Sequence, residues 1–330
     1  MTGRFSAERG HVTDYKKALA ELTAGRSISL ACVPDGFDAF IAADFARLMA
    51  GAAHGRAAVL VHVARDSQRA RAFEEAFAFA APDLELLDFP SWDCQPYDRV
   101  SPNAAIAAKR VLVLSRLARS QSSEERPRVL STTINALLQR VPPLAWIKQE
   151  SFSAAPGNAV NMDELVKWLE NNGFLRASSV RETGEYAVRG GILDLFAPGM
   201  PAPVRLDFFG DTLESIRAFD AESQRTTGQL RALDLVPMSE VQLTSESMRR
   251  FRQAYVTQFG AQTRGDTLYE AVSEGRRHAG MEHWLPLFFS ETDTLFDFIG
   301  SAPLFLDALA EDAAGERLSQ IKDYYTARKE

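Results

Sequence analysis

Over the first 150 residues, short apolar and often β-branched runs alternate with longer segments whose apolar positions recur every three or four residues. The runs SISLACV (27–33), AAVLVHVA (57–64), LELLDFP (84–90) and RPRVLSTT (126–133) predict strands. Between them, FDAFIAADFARLMAG (37–51), DSQRARAFEEAFAFAAP (66–82) and NAAIAAKRVLVLSRLARS (103–120) predict helices with buried alanine, leucine and phenylalanine faces. Strands alternating with helices imply a doubly wound α/β domain.

The texture changes at SFSAAPGNAV (151–160), a small-residue linker. The helix MDELVKWLENN that follows has Asn161 as its N-cap, Glu164 at the capping-box position and Gly173 as its stop. Residues 180–220 read as strands punctuated by APGMPAP and Gly210-Asp211 turns. From about 240 the pattern is helical again, in SESMRRFRQAYVTQFG, TLYEAVSEG and LSQIKDYYTARKE, with one apolar strand candidate, APLFLDAL (302–309). The expected organisation is therefore an α/β domain begun by residues 1–150, an inserted α+β domain over 151–237, and a segment 238–330 that packs back on the first domain. No internal repeat is evident.

Composition narrows the function classes. The 330 residues are 46% hydrophobic and 25% charged, ordinary for a globular chain, and the net charge of -7 opposes wholesale nucleic-acid coating. Two cysteines, no signal-peptide layout and no long apolar run lead to the expectation of a cytoplasmic protein.

Catalytic patterns are tested and set aside. A phosphate-binding loop needs several glycines and a lysine before a Ser or Thr, but the loop after the first strand is PDGFDAF, with Gly36 between Asp35 and Asp38. His278 and His283 have the wrong spacing for a helical metal pair, so no metal is expected. Cys94 reads as a partly buried thiol rather than a nucleophile. The proline-pinned loop FPSWDCQPYDRVSP (89–102) could offer Trp92 and Tyr97 as a base-stacking platform, but Asp93 and Asp98 dilute it, and aromatics folded onto the core fit better. No catalytic residue and no cofactor is expected.

Two strands raise a question of their own. In VRLDFF a period of two puts Val204, Leu206 and Phe208 on a core face and Arg205, Asp207 and Phe209 on the other. In EYAVRGGILDLF, Arg189 stands beside Gly190 and Gly191, where bare backbone invites a bulge or a close approach. Arginines and an aromatic on a rigid sheet have the composition of an interface anchor. The plainer alternative is a surface ion pair from Arg205 to Asp207 or Glu214, with Phe209 lying over a helix.

Taken in order, FPSWDCQPYDRVSPN, INALLQRVPP, RETGEYAVRGGILDLFAPG, VRLDFFGDTLESIRAFDAESQRT and GMEHWLPLFF closely resemble the N-terminal module of the bacterial transcription-repair coupling factors, the Mfd family. The resemblance spans nearly the whole chain, and its central block is shared with the excision-repair protein UvrB. It implies a degenerate UvrB-like, helicase-related doubly wound domain carrying a small inserted α+β domain. The resemblance also implies that Arg189, Arg205 and Phe209 dock the repair protein UvrA. RNA polymerase and DNA would be engaged only by parts of a longer parent that follow this stretch. The departures from UvrB, a lost phosphate loop and no probing hairpin after residue 98, favour an adaptor over an ATP-dependent helicase lobe or a damaged-DNA-binding module.

Overall fold

The computed structural model describes residues 17, 20–22, 24–31, 33–52, 59–119 and 127–329. By contacts the chain forms two compact units, one of residues 1–89, 120–138 and 299–319, the other of residues 90–119, 139–298 and 320–330. Among the described residues the strands are β1 (Val59–Ala64), β2 (Glu85–Phe89), β3 (Arg128–Thr133), β4 (Phe152–Ala154), β5 (Leu175–Arg176), β6 (Glu185–Arg189), β7 (Ile192–Leu195), β8 (Val204–Phe209), β9 (Thr212–Phe219), β10 (Thr226–Leu230), β11 (Leu233–Leu235) and β12 (Leu304–Leu306).

The first unit is built on a parallel sheet of order β12-β1-β3-β2. Near-continuous apolar runs suit strands buried on both faces. Leu60 and Val129 meet Phe45 of the helix Phe37–Ala52 and Phe73 and Phe77 of the helix Ser67–Ala80 in one apolar cluster. Asp66 caps the second helix, its carboxylate accepting from the Arg69 amide at 2.8 Å. His62 sits on this face within β1, fully buried, its ring stacked 3.5 Å from that of Phe73.

One expected strand is missing. Residues 27–31 carry no strand, although Ile28, Leu30 and Val33 still lean on the cluster while Ser27 and Ser29 are exposed. The alternation is real, but its apolar side is met by packing on this cluster and not by pairing to a strand. Cys32 lies outside the described residues.

The second unit centres on a six-stranded sheet of order β10-β9-β8-β7-β6-β5, antiparallel except for the β5–β6 pair. Its apolar face, with Tyr186, Leu193, Leu206 and Ile216 fully buried, packs on Leu165 and Leu169 of the helix Met162–Asn171. The expected caps of that helix are in place. Asn161 accepts from the Glu164 amide at 3.0 Å. At the other end Gly173 takes φ +86°, and its amide and that of Phe174 return to the carbonyls of Glu170 and Leu169. The Tyr186 hydroxyl donates to Glu170 at 2.7 Å, tying sheet to helix; burial, then this carboxylate, pushes the phenol up to about 12.

Elsewhere in this unit the helices Ser245–Phe259 and Thr267–Ser273 share an apolar cluster with Leu285 and Phe288. The buried Arg110, from the helix Ala104–Arg119, bonds Glu240 at 2.9 Å, the Pro90 carbonyl at 2.8 Å and Gln139 at 2.9 Å. Burying a guanidinium requires compensation of this kind, a carboxylate and carbonyl oxygens brought to its N–H groups. The molecule thus combines a parallel sheet flanked by helices with an antiparallel sheet inserted in the sequence between β3 and β12.

Candidate functional site

The polar face of the six-stranded sheet gathers the residues singled out from sequence. Cross-strand register lines up Ala187, Asp194, Arg205 and Arg217 in one row, and Arg189, Ile192, Asp207 and Ser215 in the next. Side chains opposite one another on a shared face are close enough to pair. Arg205 forks onto Asp194 with bonds of 2.7 and 2.8 Å, and Asp207 receives Arg217 at 2.7 and 2.8 Å. Arg189 reaches the same carboxylate, its Nη1 3.9 Å from Asp194, and donates to the Ser178 carbonyl at 2.7 Å.

The three expected residues differ sharply in availability. Phe209 is 77% exposed, and Arg189 has about half its side chain in solvent at 49%. Arg205 keeps only 18%. Its guanidinium also lies over the Phe219 ring, 4.9 Å from the centroid. The hydrogen-bonded Asp194 carboxylate raises the Arg205 pKa above its ordinary value, outweighing the opposing effect of burial. Neither Asp207 nor Glu214 is its partner, and Phe209 lies open instead of covering a helix.

Local backbone geometry explains the placement. Arg189 and Phe209 each precede a two-residue hairpin turn whose first central residue, Gly190 or Gly210, has a positive φ of 60° or 57°. Such turns match strand twist and favour glycine there. Gly191 serves a different need: a Cβ on it would lie 2.9 Å from the Phe208 carbonyl oxygen, on the next strand. Both turns fall at the same end of the sheet, because β7 runs away from its turn and β8 runs towards its own. Val204 and Leu206 face the core as expected, whereas Phe208 is only half-buried.

Sequence reasoning missed Asp194 and Arg217. Closing the Arg189–Ile192 hairpin in register would have found Asp194, which then falls on the arginine face. Nothing in the sequence alone pointed to Arg217, since its pairing depends on a register shift between Asp207 and Phe208.

The other candidates resolve into structural roles. At PDGFDAF, Asp38 occupies the first turn of its helix, accepts from the Ala39 amide at 3.0 Å and receives Arg69 at 2.7 Å. Arg69 also donates to Asp307, just past β12, at 3.2 Å and lies 3.8 Å from Asp35. A helix start where an anion could bind is thus filled by the chain's own carboxylate and arginine. The Trp92 indole donates to Glu240 at 2.8 Å, which folds that aromatic inward. Cys94 does have a base beside it, with Sγ 3.7 Å from His283 Nε2. Burial, aided by Asp93 and Asp98, pushes the thiol up to about 11, and burial lowers the imidazole, so both stay neutral. His278 turns instead to Thr267 and the Ala279 carbonyl. Among the described residues no helix is long and apolar enough to cross a membrane, and no three His, Cys, Asp or Glu side chains are grouped to hold a metal ion.

Comparison with known proteins assigns this architecture. Residues 152–241, which hold the six-stranded sheet, match the UvrB interaction domain. The transcription-repair-coupling factor of Haemophilus influenzae is 35% identical over 243 residues, covering 73% of this chain and 21% of that protein. That of Rickettsia prowazekii is 34% identical over 269 residues, 82% of this chain and 24% of its own length, and that of Escherichia coli 34% over 274 residues, 82% and 23%. The chain therefore spans under a quarter of each of these relatives. With most of its length matched at this level, the chain belongs to the transcription-repair-coupling factor family and represents part of its N-terminal portion, including the UvrB interaction domain.

Proposed function

We propose that this chain is a non-enzymatic adaptor module that recruits UvrA, through the polar face of its six-stranded sheet, to a stalled transcription complex. The observation that carries the reading is an open phenyl ring, Phe209, and a half-exposed arginine, Arg189, each before a glycine turn at the same end of a sheet braced by ion pairs. A large apolar group exposed on a rigid platform and bordered by arginine is the usual makeup of an interaction hot spot. Arg205 belongs to the site as the residue that holds Asp194, and with it the posture of Arg189. Translocation along DNA and contact with RNA polymerase are assigned to the remainder of a full-length family member.

Titration of UvrA with the chain tests the proposal. Phe209→Ala and Arg189→Ala should each weaken binding by about 2 kcal/mol, roughly thirty-fold, with unchanged thermal unfolding. Parent-like affinity in both variants would remove UvrA from this face.

A further inference from the structure

Three phenyl rings stand exposed together on the first unit. Phe37 and Phe40, at the start of the helix Phe37–Ala52, stack with centroids 5.7 Å apart, and Phe79, near the end of the helix Ser67–Ala80, meets Phe40 edge-on at 6.4 Å. Their exposures are 48%, 39% and 82%. With about 200 Å² per aromatic side chain, the cluster offers several hundred Å² of contiguous apolar surface. That is the size of the largest patch on an ordinary monomer, and such patches are often functional. The helices already have a full core without them, since Phe73, Phe77 and Phe45 supply it from the other faces.

Charge around the rings selects what would cover them. Glu75 and Asp83 lie one turn before and one turn after Phe79, Asp44 lies one turn after Phe40, and Asp35 is fully exposed beside Phe37. Arg47 is drawn onto Asp83 at 2.6 Å and towards Asp44, and Arg71 stands one turn from Glu75. Around the rings these four carboxylates stand against two guanidiniums, Arg47 and Arg71. An acidic rim around an apolar centre disfavours polyanions and favours a partner with the opposite pattern.

We propose that the Phe37–Phe40–Phe79 cluster is a second protein-docking surface, separate from the sheet face, whose occupant is a cationic amphipathic helix of a partner protein. The apolar side of such a helix lies on the three rings, and its lysines or arginines meet Asp35, Asp44, Glu75 and Asp83. A helix that binds in this way is read as apolar anchors three and four residues apart.

The test uses the chain as it is and a labelled fifteen-residue helical peptide with leucines at i, i+3, i+4, i+7 and i+11 and lysines elsewhere. A twin peptide carries glutamate in place of every lysine. The lysine peptide should bind saturably, more weakly as salt rises, and the glutamate twin should not bind. Phe79→Ser should lower the affinity at least tenfold, and Glu75→Lys should do so without touching the rings. Both positions are exposed, so the thermal midpoint should not move, and Glu75→Lys keeps the question open to measurement if Phe79→Ser unfolds early. Equal binding of the two peptides, or parent-like affinity in Glu75→Lys, would overturn the proposal. So would concentration-dependent dimerisation abolished by Phe79→Ser, which would make a second copy the occupant.

Discussion

Asp194 is the residue on which the proposed docking face turns, because its carboxylate is only 1% exposed and depends on Arg205 for compensation. Removing one partner of a buried ion pair leaves the other uncompensated. Arg205→Ala should therefore cost about 2–3 kcal/mol of stability, less than a fully buried pair would, since the guanidinium keeps some solvent and Arg189 can partly cover the charge. Chemical unfolding of Arg205→Ala beside Phe209→Ala checks this: the first should shift its midpoint and the second should not. A loss of UvrA binding in Arg205→Ala alone would thus report folding as much as contact. From sequence, Arg205 reads as an exposed anchor like the other two. The difference arises because burial of its neighbour is set by the opposite strand, which the local pattern does not encode.

His62 makes a second prediction at this scale. Burial beside Phe73, Phe305 and the register neighbour Ser131 lowers its pKa to about 3, with Asp307 raising it and Arg69 lowering it to smaller extents. The unfolded chain would take up that proton near its ordinary 6.5. The folded state therefore binds fewer protons between those values, and stability falls as pH drops through 6.5. At pH 5 the loss from this one group should be about 2 kcal/mol relative to pH 7.5. Denaturant midpoints at the two pH values should differ more for the parent than for His62→Phe, which has no such proton to gain; equal differences would refute the assignment.

At the scale of elements, the hairpins carry the candidate site and glycine sets them. Gly191→Ala should push the Phe208 carbonyl away, open the β7–β8 seam and cost about 1–3 kcal/mol, as overpacking usually does. Gly190→Ala meets open space and should cost about 1–2 kcal/mol through its left-handed backbone alone. Amide exchange should then quicken across β7 and β8 only in the first variant. Elements were legible where a period and its stops agreed, as in Met162–Asn171 with Asn161 before it and Gly173 after. The SISLACV run shows the limit. Alternation identifies a segment with one buried side, and here Ile28, Leu30 and Val33 bury that side on the helix cluster without pairing to the sheet. The helix Ala310–Lys329 was legible only in its second half, because it buries little surface and so has no apolar stripe to announce its start.

At the scale of the whole molecule, acidity and the self-filled helix start act together. Asp38 and Arg69 occupy each other where a nucleotide phosphate would need open amides and a lysine, and a net charge of -7 adds repulsion. Calorimetric titration with Mg-ATP should show no saturable heat up to millimolar nucleotide, whereas saturable micromolar binding would reinstate the helicase-lobe reading. The parallel sheet also has a history in time. Its β12 strand and Asp307, the carboxylate that grips Arg69, arrive 238 residues after that arginine. On a ribosome, which delivers the chain from its N-terminus, nearly all of the second unit is available to fold before the strand that completes the first has been made. The β1 edge reserved for β12 stays open through that interval. The six-stranded sheet is thus made before the parallel sheet of the first unit can be completed.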